Sequence, residues 1–466
     1  MVDENNRSSL LSIWPDIPTL EDSIDLLPFQ RDASVVKRGF AEAVMQPKTP
    51  LEVGEILRQA NYDRVPVYVR GAGTMYAGGA NPHAGGIVID LSGMEQLLEI
   101  DLQKGIVVVE AGTKFGALLE ALKPLGQTIG IVPLTGPTAT IGGAVSSHAL
   151  GTGSPRHQSM GDCVAGLEVV LVDGTVVRTG SAGCSSAGFF QRYCIGPDLT
   201  GLFIGADATL GVITAVCLWL YPLPESRKTL CLGFQDVMDA SKYLSAVQSR
   251  ELTRNMWYGG GYESGAINGR VSAARPDVDI GSLPKFCVGI ELGGKQDEIN
   301  CDRTRLIELG RNYGGKNFGL FDEIYFHKLR LEETYWYSFA GYFTRSRCAL
   351  LMCSLPSDRL PQFLKCLESM REKWEQFFWG GALVVCRRGL HAGVVTFYDE
   401  KNQWEEVMPA VSDAVGQFTE AGIVPYKSGK IWSKDTPHFE KYQHLLRMIK
   451  KGVDPRGILS PGNLGV

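Results

Sequence analysis

The chain has 466 residues, enough for two or three domains, and its 44% hydrophobic and 21% charged content is that of a globular protein. A formal net charge of −5, with no Lys/Arg-rich block, lacks the electrostatic footprint of nucleic-acid binding. No run of about 18 apolar residues supplies an integral membrane segment. The eleven cysteines form no Cys-x-x-Cys pair. The start "MVDENNRSSLLSIWPDIP" has no basic region followed by an apolar one, so reduced thiols and a cytoplasmic location are expected.

After a polar leader, residues 1–37, the stretch "AEAVMQPKTPLEVGEILRQANYDRVPVYVRGAG" reads as strand, turn, helix, strand. Thr49 is placed as N-cap, Pro50 at the first helical position and Glu52 in the first turn, with Leu51, Val53, Ile56 and Leu57 at helical spacing. "GIVIDLS" and "LLEIDLQKGIVVVEAG" read as strands, the second broken by a turn at Gln103–Gly105. A helix follows in "TKFGALLEALKPLG", stopped by Pro124 and Gly126. "CVAGLEVVLVDGTVVRTG" is a hairpin around Asp173–Gly174, and "VITAVCLWLYPLPE" is a strand closed by prolines, with a domain boundary near Glu225. From about 226 to 420 glycines thin out and aromatics increase. A final helix leads into a Pro/Gly-rich tail.

Three zones rich in small residues fall in the first half. One begins at "VRGAGTMYAGG", one runs from Val132 to Ser154, and one is "GLFIGADATLGVIT". Three such zones in one domain point to backbone converging on an extended ligand. Gly71, Gly73 and Gly78 allow successive N–H groups to form a nest for a pyrophosphate, and Thr74 adds a hydroxyl. A strand and turn follow Gly73 where a dinucleotide fingerprint needs a helix, so a nicotinamide site of the Rossmann type is excluded.

The motifs "VRGAGTMYAGG", "TGPTATIGGAV", "GLFIGADATLGVIT" and "DPRGILSPGN", in that order, resemble the vanillyl-alcohol oxidase/p-cresol methylhydroxylase (PCMH-type) superfamily of FAD-dependent oxidoreductases over roughly residues 38–225 and 420–466. The resemblance implies an α+β fold: an FAD-binding domain of two α+β subdomains (38–225), an α/β cap or substrate domain (226–420), and a C-terminal return to the FAD domain (421–466). It implies that the backbone of Arg70, Gly71, Ala72, Gly73, Thr74 and Met75 wraps the pyrophosphate and that Gly78 allows close approach. It matches Pro133, Thr135, Thr138, Gly142, Gly143 and Ser146 to the second cofactor segment, and Gly211, Val212 and Ile213 to the stretch receiving the adenine end. Two departures stand out. The family's Ser-Glu-Gly-Thr-Leu-Gly is Ala206-Asp207-Ala208-Thr209-Leu210-Gly211 here. The histidine that many relatives place before Gly-Thr-Gly is Leu150, so FAD is expected to be noncovalent, with His148 the candidate if a bond forms.

Oxidation of a hydroxyl-bearing carbon needs a group to take the hydroxyl proton and a cation for any carboxylate or phenolate. His391, in "RRGLHAG", resembles the start of the metal motif of the glycolate/D-lactate dehydrogenase branch. Its second histidine and the later Glu-His-Gly-Ile-Gly are absent, so no metal is expected and His391 is an acid/base candidate. Tyr426–Lys427 is similar to the Tyr-Arg pair of phenol-oxidising relatives. Arg387 and Arg388 are candidate carboxylate anchors, only one of which a strand would turn toward a pocket. Trp257, Tyr258, Tyr335 and Tyr337 are candidate pocket aromatics. The expected function is oxidation of a small 2-hydroxy acid by hydride transfer to FAD. The alternatives are an aryl-alcohol or 4-alkylphenol oxidase, a non-redox flavin-dependent transferase like alkylglycerone-phosphate synthase, or an electron-relay subunit. The partners considered are a small-molecule substrate, an electron-transfer flavoprotein or iron–sulfur subunit, and a second copy of the chain.

Overall fold

The structure is a computed structural model that describes residues 17–263, 277, 279, 283–319, 322, 347–377, 379–426, 429–432 and 437–466. It divides into two units. The first takes the described residues of Met1–Ala149, Met160–Pro222 and Lys427–Val466; the second takes those of Leu150–Ser159 and Leu223–Tyr426.

The first unit holds two sheets. In one, β1 (Thr19–Leu20), β2 (Ala43–Met45), β4 (Ile87–Asp90) and β3 (Val67–Arg70) lie side by side in that order, the last three mutually parallel. Helix α1 (Pro50–Asp63) is the crossover between β2 and β3. Thr49 Oγ1 accepts from Glu52 N at 3.2 Å and Glu52 reaches back to Lys48 N at 2.6 Å, which starts the helix. Val53, Ile56 and Leu57 are fully buried, whereas Leu51, on the same expected stripe, is 70% exposed.

The second sheet of this unit runs β9 (Val176–Arg178), β8 (Val164–Val170), β10 (Val212–Pro222), β6 (Ile106–Glu110), β5 (Leu97–Asp101), with β7 (Gln127–Ile129) also on β10. Helix α2 (Phe115–Leu122) stops in a 3₁₀ turn that ends at Gly126, φ +65°. Helix α3 (Ile141–Ser146) is capped by Thr140. One core joins both sheets, α1 and α2, from Met45 and Ile56 through Phe115 to Val216 and Leu459. Residues 17–37, left as a leader by the sequence, are built into this unit: β1 pairs with β2, and Ala33 N donates to Met75 O at 3.1 Å.

The second unit is one eight-stranded sheet ordered β14 (Lys316–Asn317), β11 (Ser226–Phe234), β13 (Phe286–Gly294), β12 (Met256–Glu263), β16 (Trp379–Cys386), β17 (Gly389–Tyr398), β15 (Arg347–Leu355), β18 (Val424–Pro425). Among the described residues every pairing in this sheet is antiparallel, and helices alternate with the strands along the chain, a mixed helix-and-sheet unit as expected. Helices α4 (Val237–Ser249), α5 (Gln296–Asn312), α6 (Leu360–Lys373) and α7 (Trp404–Glu420) pack on it. Burial alternates residue by residue along β17, because Leu390, Ala392, Val394 and Thr396 face the helices while His391, Gly393 and Val395 face away. All eleven cysteines are free thiols.

Candidate functional site

The glycine-rich loop leaves β3 at Arg70, and each glycine there answers a steric demand. Gly73 has φ +64°, and a Cβ on it would overlap the Arg70 guanidinium, which lies directly beneath. A Cβ on Gly71 would overlap Thr140 Oγ1, the cap of α3, so the first and second small-residue zones touch. Gly78 has φ +85°, and its Cβ would stand 2.7 Å from Val36. The Gly71–Met75 backbone thus has side chains tucked behind it at Gly71 and Gly73 and is half-buried, with Ala72 exposed. Packing on that side keeps the loop free of side chains at Gly71, Gly73 and Gly78, and bare backbone of this kind is a cradle that suits the phosphates of FAD.

The other expected cofactor residues divide by environment. Pro133, Thr135 and Thr138 form a tight turn, with Gly136 N on Pro133 O at 2.8 Å and Thr138 Oγ1 on Thr135 O at 3.3 Å. Gly143 is exposed, and Ser146 O accepts from Asp207 N at 3.0 Å, joining the second zone to the third. Gly142 and Gly211 are explained by packing. A Cβ would stand 2.5 Å from Ala111 at the first and 2.6 Å from Val169 at the second. Val212 and Ile213 are buried in β10. Asp207 and Ala208 both adopt left-handed backbone, φ +45° and +59°, so the alanine occupies a conformation natural to glycine.

The fourth motif closes the cradle. Asn463 Nδ2 donates to Gly79 O at 2.8 Å and to Asp207 O at 3.0 Å, linking the first and third zones. Val67 N donates to Ile458 O and Ser460 N to Val67 O, so the tail lies against β3. Lys450, buried, donates to Asp454, Thr209 O and Leu459 O at 2.6–2.8 Å. Beneath the loop, Asp32 is 5% exposed; Ser34 N and Oγ donate to its Oδ1, and its Oδ2 has no hydrogen-bond partner among the described residues. Burial raises its pKa, against the Ser34 hydrogen bonds and the charges of Lys430 and Arg70. His148, φ +53°, packs its ring toward Gly161 and Gly205.

In the second unit, the sheet face turned away from α6 gathers the sequence candidates His391 and Tyr426. Gly260, Val384, His391 and Ser354 pair across β12, β16, β17 and β15 and form one row. Ser354 Oγ lies 2.7 Å from His391 Nδ1, and the Tyr426 ring meets His391 edge to face, centroids 4.4 Å apart. Leu150, Val384 and Cys386 form an apolar cluster against which Tyr426 packs, so the residue before Gly-Thr-Gly belongs to this face. Beside the row, the Tyr258 and Tyr262 hydroxyls are 3.3 Å apart, and Tyr258 is opposite the fully buried Glu291, which accepts from Arg227 Nε at 2.6 Å. Trp257 packs over Gly293, and its carbonyl accepts from Gly153 N.

Two sequence candidates are corrected here. Arg387 and Arg388 sit in the tight turn between β16 and β17, not on a strand, and both are exposed. Arg387 stands 3.9 Å from Glu251, and Arg388 N donates to Gln158 Oε1. Lys427, Tyr335 and Tyr337 lie outside the described residues. Sequence reasoning missed Ser354, which a cross-strand register brings to His391, and it missed Asp32, placed in the leader.

Comparison with known proteins agrees with this architecture. Residues 41–180 match the FAD binding domain family. The glycolate oxidase subunit GlcD of Bacillus subtilis (strain 168) is 32% identical over 221 residues, 47% of this chain and 46% of that protein. The mitochondrial D-lactate dehydrogenase [cytochrome] of Arabidopsis thaliana is 34% identical over 43% of this chain and 34% of its own length. The chain spans less than half the length of these relatives. A crystal structure of p-cresol methylhydroxylase with substrate bound superposes with a TM-score of 0.84 at 18% identity, over 100% of this chain and 98% of that one. The chain therefore has the fold of p-cresol methylhydroxylase, and its residues 41–180 carry an FAD binding domain, with FAD as the cofactor. Its sequence relatives over that half of the chain include a glycolate oxidase subunit and a D-lactate dehydrogenase.

Proposed function

We propose that the chain is an FAD-linked dehydrogenase or oxidase that oxidises the hydroxyl-bearing carbon of a small 2-hydroxy acid, in the cytoplasm, with the first unit as FAD-binding domain and the second as substrate domain. Gly71–Met75 and Gly78 hold the diphosphate through backbone N–H groups, with Thr135, Thr138, Gly143 and Ser146 along the same noncovalently bound cofactor. Bound FAD supplies the hydride acceptor. The observation that carries the reading is the His391 arrangement: Ser354 Oγ lies 2.7 Å from Nδ1, and with Nδ1–H donating to that oxygen the ring is fixed and Nε2 is the basic atom that takes the substrate hydroxyl proton. Tyr426, packed edge-on against that ring, orients the substrate. The 2-hydroxy acid is favoured by the sequence relatives, whose names include glycolate oxidase, D-lactate dehydrogenase and D-2-hydroxyglutarate dehydrogenase.

A second substrate class, aryl alcohols and 4-alkylphenols, is favoured by one observation: Tyr258 and Tyr262 pair their hydroxyls on this face, while Arg387 and Arg388 sit in an exposed turn. The test is anaerobic mixing of FAD-loaded protein with D- and L-2-hydroxy acids, then with aryl alcohols and 4-alkylphenols, following loss of flavin absorbance. Bleaching by a hydroxy acid is expected. Bleaching by phenols alone moves the substrate to the second class, and bleaching by neither overturns the oxidoreductase reading. Acid precipitation is expected to leave the flavin in the supernatant; yellow colour in the pellet would overturn noncovalent binding.

A further inference from the structure

Lys430 belongs to the first unit, where its backbone and side chain both meet the far arm of the glycine-rich loop. Its N–H donates to Ala77 O at 2.9 Å, and its Nζ donates to Asn81 O. Asn81 is fully buried and anchored on its other side: its Oδ1 accepts from Gly39 N and its Nδ2 donates to Lys37 O, both at 2.9 Å. Gly429, next to Lys430, has φ +47°, and a Cβ there would overlap Ala77; Leu464 N donates to Gly429 O at 3.1 Å. The returning segment is thus pressed onto Ala77–Asn81 with no room between them.

The ammonium also stands 5.0 Å from the centroid of the Tyr68 ring, and Tyr68 OH lies 3.1 Å from His83 Nδ1. Its charged neighbours are Asp32 and Asp207, and Arg70 shares Asp32 with it. With Asp90 also facing Arg70, two cations and three carboxylates are gathered around a loop that has little side-chain bulk of its own. A charge inside protein acts over a longer range than one in water, so a cation held there bears on any anion seated in the loop.

We propose that Lys430 is a positioning residue for FAD: by holding Ala77 and Asn81 it fixes the glycine-rich arm in its binding shape, and its charge makes that arm favour a diphosphate over an uncharged adenosine. This rests on the assignment of Gly71–Gly78 to the diphosphate. A pH signature follows. Burial pushes the Lys430 ammonium down to about 8, against the pull of Asp32 and Asp207. The charge is present below that pH and lost above it, so FAD affinity falls as pH rises through 8. The apoprotein moves the opposite way. Between about 8 and the ordinary lysine value of 10.5, the unfolded chain holds a proton that the native one has released, and this group's cost to stability diminishes as pH rises.

The experiment measures binding of FAD, ADP and adenosine to apoprotein by calorimetry and competition, at pH 7 and pH 9.5, for wild type, Lys430→Met and Lys430→Arg. Lys430→Met is expected to weaken FAD and ADP by about 10- to 30-fold, with adenosine changed less than about 2-fold; Lys430→Arg restores most of the loss. Wild type loses about 5-fold in FAD affinity between the two pH values, and neither variant does. Wild-type affinity in Lys430→Met, an equal loss for adenosine, or a flat wild-type pH dependence would overturn the proposal. If Lys430→Met fails to fold by circular dichroism, the wild-type and Lys430→Arg pH dependences decide it. Wild-type protein that binds neither FAD nor ADP removes the diphosphate assignment itself, and the role of Lys430 with it. Normal FAD and ADP binding with unresponsive variants removes only the role of Lys430.

Discussion

The glycine cradle of the first unit and the His391 face of the second are built on opposite principles. The cradle is made by leaving side chains out. Gly71, Gly73 and Gly78 have no room for a Cβ, so the constraint falls on single positions and shows in the residue type itself. The face is made by putting ordinary side chains in register. Ser354 and His391 are 37 positions apart, and only the β15–β17 pairing makes them neighbours. Omission is written locally; register is a property of the whole sheet.

Four substitutions sharpen this contrast. Gly73→Val forces a branched side chain into left-handed backbone and into Arg70. It is expected to abolish FAD retention after gel filtration, at least about 100-fold, or about 3 kcal/mol. Near-ultraviolet circular dichroism of the aromatic-rich second unit should be unchanged; loss of both signals would mean the cradle is not separable from the rest. His391→Gln keeps the hydrogen bond to Ser354 within reach and removes the basic nitrogen. The rate of anaerobic flavin reduction should fall by about 10²–10⁴ with FAD affinity intact, and a rate within about 3-fold of wild type removes His391 from the chemistry.

A third test uses pH. Burial, with help from the charges of Arg156 and Arg387, lowers the His157 pKa from 6.5 to about 4. Between those values the unfolded chain binds a proton that the native one does not, so this group's contribution to stability is lost as pH falls from 6.5 toward 4. His157→Gln should flatten the fall in Tm over that window; an unchanged slope would show that His157 is not the group responsible. The smallest effect is expected at Ala208, held at φ +59°. Ala208→Gly should raise stability by up to about 1 kcal/mol in denaturant unfolding, because relief of left-handed strain outweighs the added freedom of the unfolded chain. Destabilisation would mean that the methyl group's packing matters more than its backbone.

The same contrast explains what was legible in the sequence. Thr49 and Pro50 start α1 where the capping pattern places the helix, and Asp173–Gly174 turns the β8–β9 hairpin, because both signals act within a few residues. The cradle's glycines were legible for the same reason. Asn463 stood inside a quoted motif, yet its two carbonyl partners lie hundreds of positions away and could not be read. Asp32 was missed because a buried carboxylate in a polar stretch looks like leader. Arg387 and Arg388 were misplaced although Arg-Arg-Gly separates two alternating apolar runs, which is the pattern of a hairpin turn rather than of one continuous strand.

The tail that crosses behind the cradle also sets an order of events. Asn463 meets Gly79 across 384 positions, and the second unit's long stretch, 223–426, is synthesised between them. On a ribosome the β3 loop therefore emerges early and waits without its clasp while the eight-stranded sheet is made. Contacts of such long sequence separation form late, since loop closure must precede them. The cradle consequently gains its clasp only once residues 427–466 have followed the second unit out, and cofactor loading belongs after that point.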